Sequence, residues 1–469
     1  MDLRIYNTLS RQKETFKSLK KNWVSFYHCG PTVYWTQHLG NLRGMFCADI
    51  VVRVLKYLGY QVRHVRNYTD VGHLTGDHDK GEDKIEKSAR REKISPQEIA
   101  HKYIRIFEDD TQELNLLEPT FKPRATQSID DIIKMVRVLL DKDYAYATDL
   151  AVYFNVSKFK NYNQLSGQKP EEKLRGAGRA KVSDPQKKQP TDFALWFFKA
   201  GRHKNALQYW DSPFKSSLVK NGQGFPGWHI ECSVMAQKYL GRTIDLHMGG
   251  IEHIPVHHTN EIAQSESANG VKFVNYWLHN EHLLFNNQKM AKSEGIFFTL
   301  DQVKEKGFSP LALRYLFLQA HYRSKQSFSW PLMGAAQKGF LRLVEQVKEM
   351  GRQAGKINPI YQKKFIEKIS DDFNSPQAFS LVQKLLKSDL PSQDKRATLL
   401  DFDQVFGLKL AQIGKEKTDV PSEIKKLVDQ REQARQEKNW VKADQFRKEI
   451  EKKKYKIEDT KKGPKLSPR

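Results

Sequence analysis

The sequence predicts an α/β fold that is interrupted by an insertion and followed by an all-α helical C-terminal region. Strand and helix patterns alternate from about residue 23 to 110 and resume from about 226 to 285, whereas the pattern beyond Pro331 is helical almost to the end. Between the two α/β halves, the polar stretch at 167–190 is rich in Lys, Gly and Pro and is typical of an exposed loop. A length of 469 residues is sufficient for several domains.

The first predicted helix, at 42–58, follows the motif His-Leu-Gly-Asn at 38–41. A strand, a loop and a helix N-terminus in this order direct backbone N–H groups and the positive end of the helix dipole at phosphate. Gly40 lets a nucleotide approach the backbone, while His38 and Asn41 can donate hydrogen bonds to phosphate oxygens. This segment therefore predicts a nucleotide-binding turn.

A second set of residues has the chemistry of a metal site. Cys29 follows the apolar run at 23–27, which predicts a buried strand and places the thiol at the strand's carboxyl end, where open α/β sheets bind ligands. Cys232 opens a predicted helix, and His257 and Glu261 are four residues apart, so they project from one helix face. Thiolates, imidazole and carboxylate are all acceptable zinc ligands. A lone cysteine is more often a small buried apolar residue, so the zinc interpretation depends on the neighbouring motifs.

A second nucleotide motif is Lys-Met-Ala-Lys-Ser at 289–293, which follows the turn at 286–288. Lys289, Lys292 and Ser293, on a loop that ends in glycine, can bind a triphosphate while charge builds on the leaving pyrophosphate. Each motif alone is weak, because short His-Gly or Lys-Ser strings are common in solvated loops. Their order, and their separation by one α/β domain, make the nucleotide interpretation specific.

Together these motifs resemble the class I aminoacyl-tRNA synthetases, and specifically the cysteinyl-tRNA synthetase family. The segments 29–34 and 38–41 resemble the first signature of that family, and 289–293 resembles the second. Asn41 stands where the family usually has histidine, and Ala291 stands where it usually has serine, so the sequence is predicted to be a divergent member. Further matching segments follow in the family's order, at 152–159, 165–168, 192–196, 226–232, 260–266, 372–376 and 431–444.

The resemblance implies a Rossmann-like class I synthetase catalytic domain with a connective-peptide insertion, followed by an all-α helical C-terminal domain. The implied boundaries are 1–114 for the first half of the catalytic domain, 115–225 for the connective peptide, 226–288 for the second half, 289–330 for the second-signature loop and a helical neck, and 331–469 for the helical anticodon-binding region with its basic tail. The connective peptide is expected to face the acceptor end of a tRNA.

The resemblance also implies roles for individual residues. The implied zinc ligands are Cys29, Cys232, His257 and Glu261. The residues implied to act on the phosphates during catalysis are His38, Asn41, Lys289 and Lys292. The residues implied to bind ATP are Gly30, Thr32, His38, Gly40, Asn41, Gly249, Gly250, Lys289, Lys292 and Ser293. The residues implied to bind the amino acid are Cys29, Thr69 and Trp228.

In this family, one zinc ion per chain is implied to bind the substrate thiol, which serine and alanine cannot imitate. In the first implied step, the carboxylate of L-cysteine attacks the α-phosphorus of ATP, which is accompanied by Mg²⁺, to give cysteinyl-adenylate and pyrophosphate. In the second, the terminal ribose hydroxyl of tRNA(Cys) attacks the activated carbonyl. The expected enzyme is thus an ATP-dependent, monomeric cysteine:tRNA ligase.

Composition fits an enzyme that acts on nucleic acid. The formal net charge of +24 favours a polyanionic partner, although a generally lysine-rich proteome gives the same bias. The odd number of cysteines, 3, argues against a disulfide framework and for a reducing compartment. Residues 1–21 lack an apolar signal core, and no stretch is long and apolar enough to span a bilayer, so we expect a cytoplasmic protein without a membrane partner.

The C-terminal end predicts a helical pair at about 422–437 and 439–452, followed by a lysine-rich tail. Trp440 is expected to pack against the partner helix or to stack on a base. A solvated basic face is the commoner explanation for such a run of charges. Given the family, however, phosphate attraction is predicted for the stripe Arg431, Arg435, Lys438, Lys442, Arg447 and Lys448.

Two other interpretations stay open. A ligase of the same superfamily that joins cysteine to an amino sugar would share zinc and adenylation, but the long basic helical region after residue 331 argues against it. A non-catalytic tRNA-binding paralogue is supported only by Asn41 and Ala291, and the retained metal ligands and loop lysines oppose it. A metalloprotease does not fit, because no His-Glu-x-x-His motif occurs.

Overall fold

The computed structural model describes most of the chain. The described residues are 2–72, 74–76, 80–168, 184–285, 288–289, 297–413, 421–453, 455–460 and 463–468. The chain divides into two compact units, Met1–Ala411 and Gln412–Arg469. Among the described residues, no helix has both the length and the apolar composition that crossing a membrane requires.

The strands and α-helices of the described residues have the following bounds. The strands are β1 (Arg4–Asn7), β2 (Gln12–Thr15), β3 (Trp23–His28), β4 (Gln61–Arg66), β5 (Leu74–Gly76), β6 (Lys80–Asp83), β7 (Ala145–Ala147), β8 (Ala151–Phe154), β9 (Phe193–Phe198), β10 (Gly224–Pro226), β11 (Ile244–Gly250), β12 (Val274–Asn280), β13 (Leu283–Phe285), β14 (Gln288–Lys289), β15 (Gln326–Phe328), β16 (Tyr455–Thr460) and β17 (Gly463–Pro468). The helices are α1 (Leu39–Tyr57), α2 (Lys84–Glu92), α3 (Pro96–Glu113), α4 (Ile129–Asp141), α5 (Trp228–Leu240), α6 (Thr259–Asn269), α7 (Leu300–Glu305), α8 (Pro310–Phe317), α9 (Trp330–Glu349), α10 (Pro359–Ile369), α11 (Ser375–Leu386), α12 (Ser392–Phe406), α13 (Ser422–Gln436) and α14 (Trp440–Lys452).

A four-stranded parallel sheet, in the order β12-β11-β3-β4, is the base of the first unit. Phe26 of β3 lies opposite Leu246 of β11 on one side and His64 of β4 on the other. The first half of the fold therefore extends from one side of β3 and the second half from the other. In open α/β sheets such a reversal of strand order leaves a crevice at the carboxyl ends of the strands, where ligands bind.

Helices cover both faces of this sheet. On one face, Tyr27 and Val65 pack with Met235 of α5. On the other face, His64 shares a small cavity with Met45 of α1. Because both faces are covered, consecutive residues are buried in the carboxyl-terminal part of each of the four strands. The apolar run at the start of β3 was the sequence signal for the first of them.

Helix α1 begins earlier than the predicted helix at 42–58, because the nucleotide motif is part of its first turn. His38 is the N-cap residue, and its Nδ1 accepts a hydrogen bond from the backbone N–H of Asn41 at 3.2 Å. This bond satisfies one of the N–H groups that the first turn of a helix leaves without a partner.

The insertion between the two halves forms an antiparallel sheet in the order β10-β9-β8-β7. Helix α4 contributes to the apolar core of this sheet, in which Trp196 and Phe154 are fully buried. Much of the predicted exposed loop at 167–190 lies outside the described residues. In the described part Asp184 is buried and accepts a hydrogen bond from the hydroxyl of Thr148 at 2.7 Å, so exposure was a wrong prediction there.

A small sheet and a series of helices complete the first unit. Strand β13 pairs antiparallel with β14 and parallel with β15, and α7 to α12 lie around and beyond β15 in the chain. Arg314 of α8 has no exposed surface; it donates to the backbone oxygens of Phe406 and Leu114 and pairs with Asp49 of α1 at 2.6 Å. This guanidinium therefore fastens α1 to the helices that follow the catalytic sheet.

The second unit contains the predicted helical pair, as α13 and α14, and a hairpin of β16 and β17. The predicted lysine-rich tail therefore forms strands. The apolar core of the second unit contains Ile424 of α13, Ile450 of α14 and Ile457 of β16, so the hairpin is packed on the helices. An apolar residue within a strongly charged tail was the available sequence signal for this packing.

The predicted basic stripe is wrong at Arg431, which is buried. Its side chain is 2% exposed, and its guanidinium pairs with Asp459 of the hairpin at 2.8 Å and with Glu432 at 2.7 Å. The residue therefore fixes the hairpin to α13 instead of facing a phosphate. Trp440 is 59% exposed, with the guanidinium of Arg435 5.8 Å from its ring centroid, so most of this ring is accessible.

Candidate active site and metal centre

A cavity of about 670 Å³ opens at the carboxyl-terminal edge of the parallel sheet. Its wall comes from the ends of the four strands and from the first turns of α1 and α5. The sequence-predicted site residues that line it are Cys29, Gly30, Thr32, His38, Gly40, Asn41, Thr69, Trp228, Cys232, Gly249, Gly250 and His257.

The remaining predicted site residues have other positions. Glu261 lies behind the wall of the cavity with no exposed surface. Lys289 is the last residue of β14, and Lys292 and Ser293 lie outside the described residues. The structure therefore places the start of the second lysine motif by its backbone alone.

Two cysteines, a histidine and a glutamate meet at the closed end of the cavity. The ligand atoms of Cys29, Cys232, His257 and Glu261 all lie within 4.8 Å of one another, and all four side chains are buried. Nε2 of His257 is 2.9 Å from Oε1 of Glu261, and Sγ of Cys29 is 3.9 Å from the same oxygen. The π-turn Ile254–His258 leads directly into α6, which keeps His257 and Glu261 on one face. Donors of this kind, number and closeness fit a tetrahedral zinc ion.

Burial and neighbouring charges shift the pKa values of the side chains in this cluster. The hydrogen bond from Cys29 lowers the pKa of the Cys232 thiol to about 6, although burial opposes this shift. Burial alone would raise the pKa of Glu261, but His247 and His257 outweigh it and lower that pKa to about 2. Burial likewise opposes the charged form of His257, yet Glu261 raises its pKa to about 10. Cys232 and Glu261 are thus held in the anionic forms that bind metals, whereas burial and the neighbouring Cys232 raise the pKa of the Cys29 thiol. Cys29 and His257 would therefore each release a proton when a metal binds.

Histidines that sequence reasoning missed surround this cluster. Nε2 of His247 lies 2.8 Å from Oε2 of Glu261, and the His247 ring stacks on Trp277 with centroids 4.5 Å apart. Nε2 of His258 lies 3.4 Å from Sγ of Cys29. With Cys29 and Glu261, these histidines form a second, overlapping set within 4.8 Å. Such outer partners orient metal ligands, and a histidine inside the buried strand β11 was the sequence signal for His247.

Similarity to known proteins decides the family. Residues 15–338 match the family described as tRNA synthetases class I (C), catalytic domain. Cysteine–tRNA ligase 1 of Burkholderia lata is 41% identical over 470 residues, which cover 99% of this chain and 97% of that protein. The chain belongs to the cysteinyl-tRNA synthetases. It is therefore an aminoacyl-tRNA synthetase, and the predicted fold class and enzyme class are confirmed.

Other cysteinyl-tRNA synthetases are similar in sequence over nearly the whole chain. The cysteine–tRNA ligases of Treponema denticola and Thermus thermophilus are 41% and 39% identical over 480 and 490 residues, which cover 95% and 99% of this chain and 96% and 99% of those proteins. A methionyl-tRNA synthetase of Mycobacterium tuberculosis, solved with methionyl-adenylate, has a TM-score of 0.53 and 14% identity, with 84% of this chain and 92% of that chain covered. The similarity to this methionyl-tRNA synthetase structure shows the class I fold.

Glycines at the cavity of this cysteinyl-tRNA synthetase are required by close packing. A Cβ on Gly30 would lie 1.6 Å from the backbone oxygen of Asn67, and one on Gly249 would lie 2.6 Å from Nδ1 of His253. No side chain fits at such distances. Gly249 and Gly250 are the last two residues of β11.

Trp228 connects the predicted amino-acid pocket with the metal cluster. Its ring stacks on His257 with centroids 4.5 Å apart and an interplanar angle of 30°. Nδ1 of His257 lies 2.9 Å from Nδ1 of His229, so the other ring nitrogen is directed at Glu261. The pocket beside Trp228 thus ends at a histidine whose orientation is fixed from both sides.

Proposed function

We propose that the protein is a cysteine–tRNA ligase that activates L-cysteine with ATP and transfers it to the 3′ end of tRNA(Cys). The observation that carries this proposal is the position of the thiol-rich cluster in the wall of the same cavity as the turn at 38–41. An amino acid with its thiol at the cluster would present its carboxylate to a nucleotide held at that turn. The similarity to curated cysteine–tRNA ligases over the whole chain supports the same activity.

The cluster fits one zinc ion per chain. Bound zinc would supply a soft Lewis acid that accepts a thiolate as a ligand far better than a hydroxyl. An apolar pocket alone discriminates poorly between side chains of similar shape, so the selection of cysteine over serine depends on this cluster. His247 and His229 would hold Glu261 and His257 in place for that selection. The proposed zinc ligands are Cys29, Cys232, His257 and Glu261.

The first turn of α1 would bind the phosphates. His38 accepts a hydrogen bond at Nδ1, so in its neutral form the proton is on Nε2. Nε2–H is then the group that would donate a hydrogen bond to a phosphate oxygen. The backbone N–H of Gly40 and the side-chain amide of Asn41 would add donors at the positive end of the helix dipole. Lys289 and Lys292 would stabilise charge on the leaving pyrophosphate while Mg²⁺ accompanies ATP. The cysteine carboxylate attacks the α-phosphorus, and cysteinyl-adenylate forms.

The proposed macromolecular partner is tRNA(Cys), whose terminal ribose hydroxyl attacks the activated carbonyl in the second step. The net charge of +24 favours such a polyanion. In the second unit, Lys438, Lys442 and Lys448 are exposed, as is most of the Trp440 ring, which suits contacts to the anticodon end. We further propose that the protein acts as a monomer in the cytoplasm.

Cysteine-dependent exchange of pyrophosphate into ATP tests this proposal, with serine as the control substrate and charging of tRNA(Cys) as a second assay. Exchange with cysteine together with charging is the expected result. Exchange without charging would favour the ligase that joins cysteine to an amino sugar. Absence of exchange in the metal-replete protein would contradict the proposal and make Asn41 and Ala291 marks of a lost activity.

A further inference from the structure

Arg43 is a buried guanidinium to which the proposed reaction gives no role. It lies in α1, just after the turn at 38–41, and is 1% exposed. A buried charge is costly unless its hydrogen-bonding groups are satisfied. The groups that accept its hydrogen bonds therefore indicate which parts of the fold this buried charge holds together.

The acceptors of Arg43 are uncharged oxygens from distant parts of the chain. Nε donates to Oε1 of Gln326 at 2.9 Å, and Nη1 donates to the backbone oxygen of Glu281. Nη2 donates to the backbone oxygens of His321 at 3.1 Å and Ser324 at 2.9 Å. One planar group thus joins α1 to the segment after β12 and to the turn that leads into β15. The rigid donor fork of arginine is suited to several carbonyls at once, which a lysine cannot match.

These contacts fix the strands that carry the second lysine motif. Gln326 lies on β15, which pairs with β13, and β13 pairs with β14, which ends at Lys289. On the other side of that motif, the backbone N–H of Leu39 donates to the backbone oxygen of Phe298 at 2.8 Å. Helix α1 therefore holds the chain both before and after residues 290–296.

We propose that Arg43 is a positioning residue for adenylation, which sets the distance between the phosphate-binding turn at 38–41 and Lys289 on the β13–β14–β15 sheet. The inference rests on the proposed function and extends it to a residue whose hydrogen bonds all go to the protein itself. Since a misplacement of about 1 Å can cost on the order of 100-fold in rate, a loosened sheet impairs use of ATP. The metal cluster belongs to other strands and helices, so binding of cysteine is unaffected.

The test compares Arg43→Met with the matched variant Arg314→Met. Arg314 is equally buried, donates to backbone carbonyls and is likewise tied to α1, through Asp49, but its contacts lie away from β13 and β15. Thermal unfolding of both variants gives a temperature at which both are folded. At that temperature, kcat and the KM values for ATP and cysteine are measured in cysteine-dependent pyrophosphate exchange.

We expect Arg43→Met to lower kcat/KM for ATP by roughly 10- to 100-fold, with the KM for cysteine within about twofold of wild type. Arg314→Met should unfold at a similarly reduced temperature while keeping kcat/KM for ATP within about threefold. Arg43→Lys, which keeps the charge and some donors, should recover part of the loss. Equal values of kcat/KM for ATP in Arg43→Met and Arg314→Met would overturn the proposal, because Arg43 would then only stabilise the fold.

If Arg43→Met does not fold, Gln326→Leu takes its place, since it removes the acceptor of Nε and leaves the guanidinium present. The same selective loss for ATP is expected, and unchanged kinetics would overturn the proposal. Failure of the wild-type protein to use cysteine contradicts the proposed function separately. Arg43 is then tested by the thermal shift that a non-hydrolysable ATP analogue produces, which should be smaller in Arg43→Met than in Arg314→Met; equal shifts would overturn the role.

Discussion

Replacement of His247 is expected to weaken zinc binding without removing a zinc ligand. Nε2 of His247 is 2.8 Å from Oε2 of Glu261, and neither side chain has exposed surface. A hydrogen bond to a charged group contributes about 1.5–3 kcal/mol, and each 1.4 kcal/mol corresponds to about tenfold in affinity. Loss of an outer partner of a metal ligand typically weakens metal binding by about 10- to 100-fold, which agrees with that range. We therefore expect His247→Leu to raise the zinc Kd by about 10- to 100-fold.

The assay is competition for zinc with a chelator of known affinity. His247→Gln, whose amide can donate to Glu261, should recover part of the loss. His64→Leu is the control, because it removes another buried histidine of the same sheet, one that stacks on Phe26 and not on the cluster. Its zinc affinity should equal that of wild type. Equal zinc affinities in wild type and His247→Leu would refute the reasoning that this histidine holds Glu261 for the metal.

Three further results are expected. Cys232→Ser should lose zinc and cysteine-dependent exchange, while urea unfolding of the metal-free protein stays close to wild type; a full zinc content would contradict the ligand assignment. Burial lowers the pKa of His64 to about 3, so between about pH 6.5 and pH 3 the unfolded chain binds a proton that the folded chain does not. The free energy of unfolding therefore decreases as the pH is lowered through this window. The loss at pH 5 should be about 2 kcal/mol, and an unchanged pH dependence of urea unfolding in His64→Gln would contradict this origin. Arg314→Met should lower the free energy of unfolding by about 3 kcal/mol or more, because it removes one of the two arginine partners of buried Asp49 and leaves the backbone oxygens of Phe406 and Leu114 against an apolar side chain. The surface control Arg137→Met should change it by less than about 0.5 kcal/mol, and equal urea midpoints would contradict this.

Local patterns predicted much of the fold and the candidate metal ligands, but they did not join those ligands into one site. The apolar run before Cys29 and the spacing of His257 and Glu261 each describe a few adjacent residues, and such short-range patterns determine where a strand ends or which helix face a side chain takes. The resemblance then supplied the order of the segments, which local patterns cannot. The roles of the individual site residues stay predictions that the variants above test.

Long-range contacts explain what the sequence did not reveal. His247 and Glu261 belong to different elements, so a histidine within a strand is a local signal, but nothing near it in the chain identifies Glu261 as its partner. Arg43, Arg314 and Arg431 look like ordinary surface charges in a basic sequence, yet all are buried, because carbonyls and carboxylates from distant segments satisfy them. Charge alone cannot distinguish a cation that faces a phosphate from one that fastens two segments, as the predicted stripe at Arg431 demonstrates.

Pyrophosphate exchange with cysteine and with serine, measured on the metal-free protein and again after zinc is restored, tests the central claim most directly. The claim is that the cluster at Cys29, Cys232, His257 and Glu261 selects the substrate thiol. We expect cysteine-dependent exchange to be lost without zinc and recovered with it, while serine supports no exchange in the zinc-replete protein. Exchange by the metal-free protein with undiminished preference for cysteine over serine would contradict the claim.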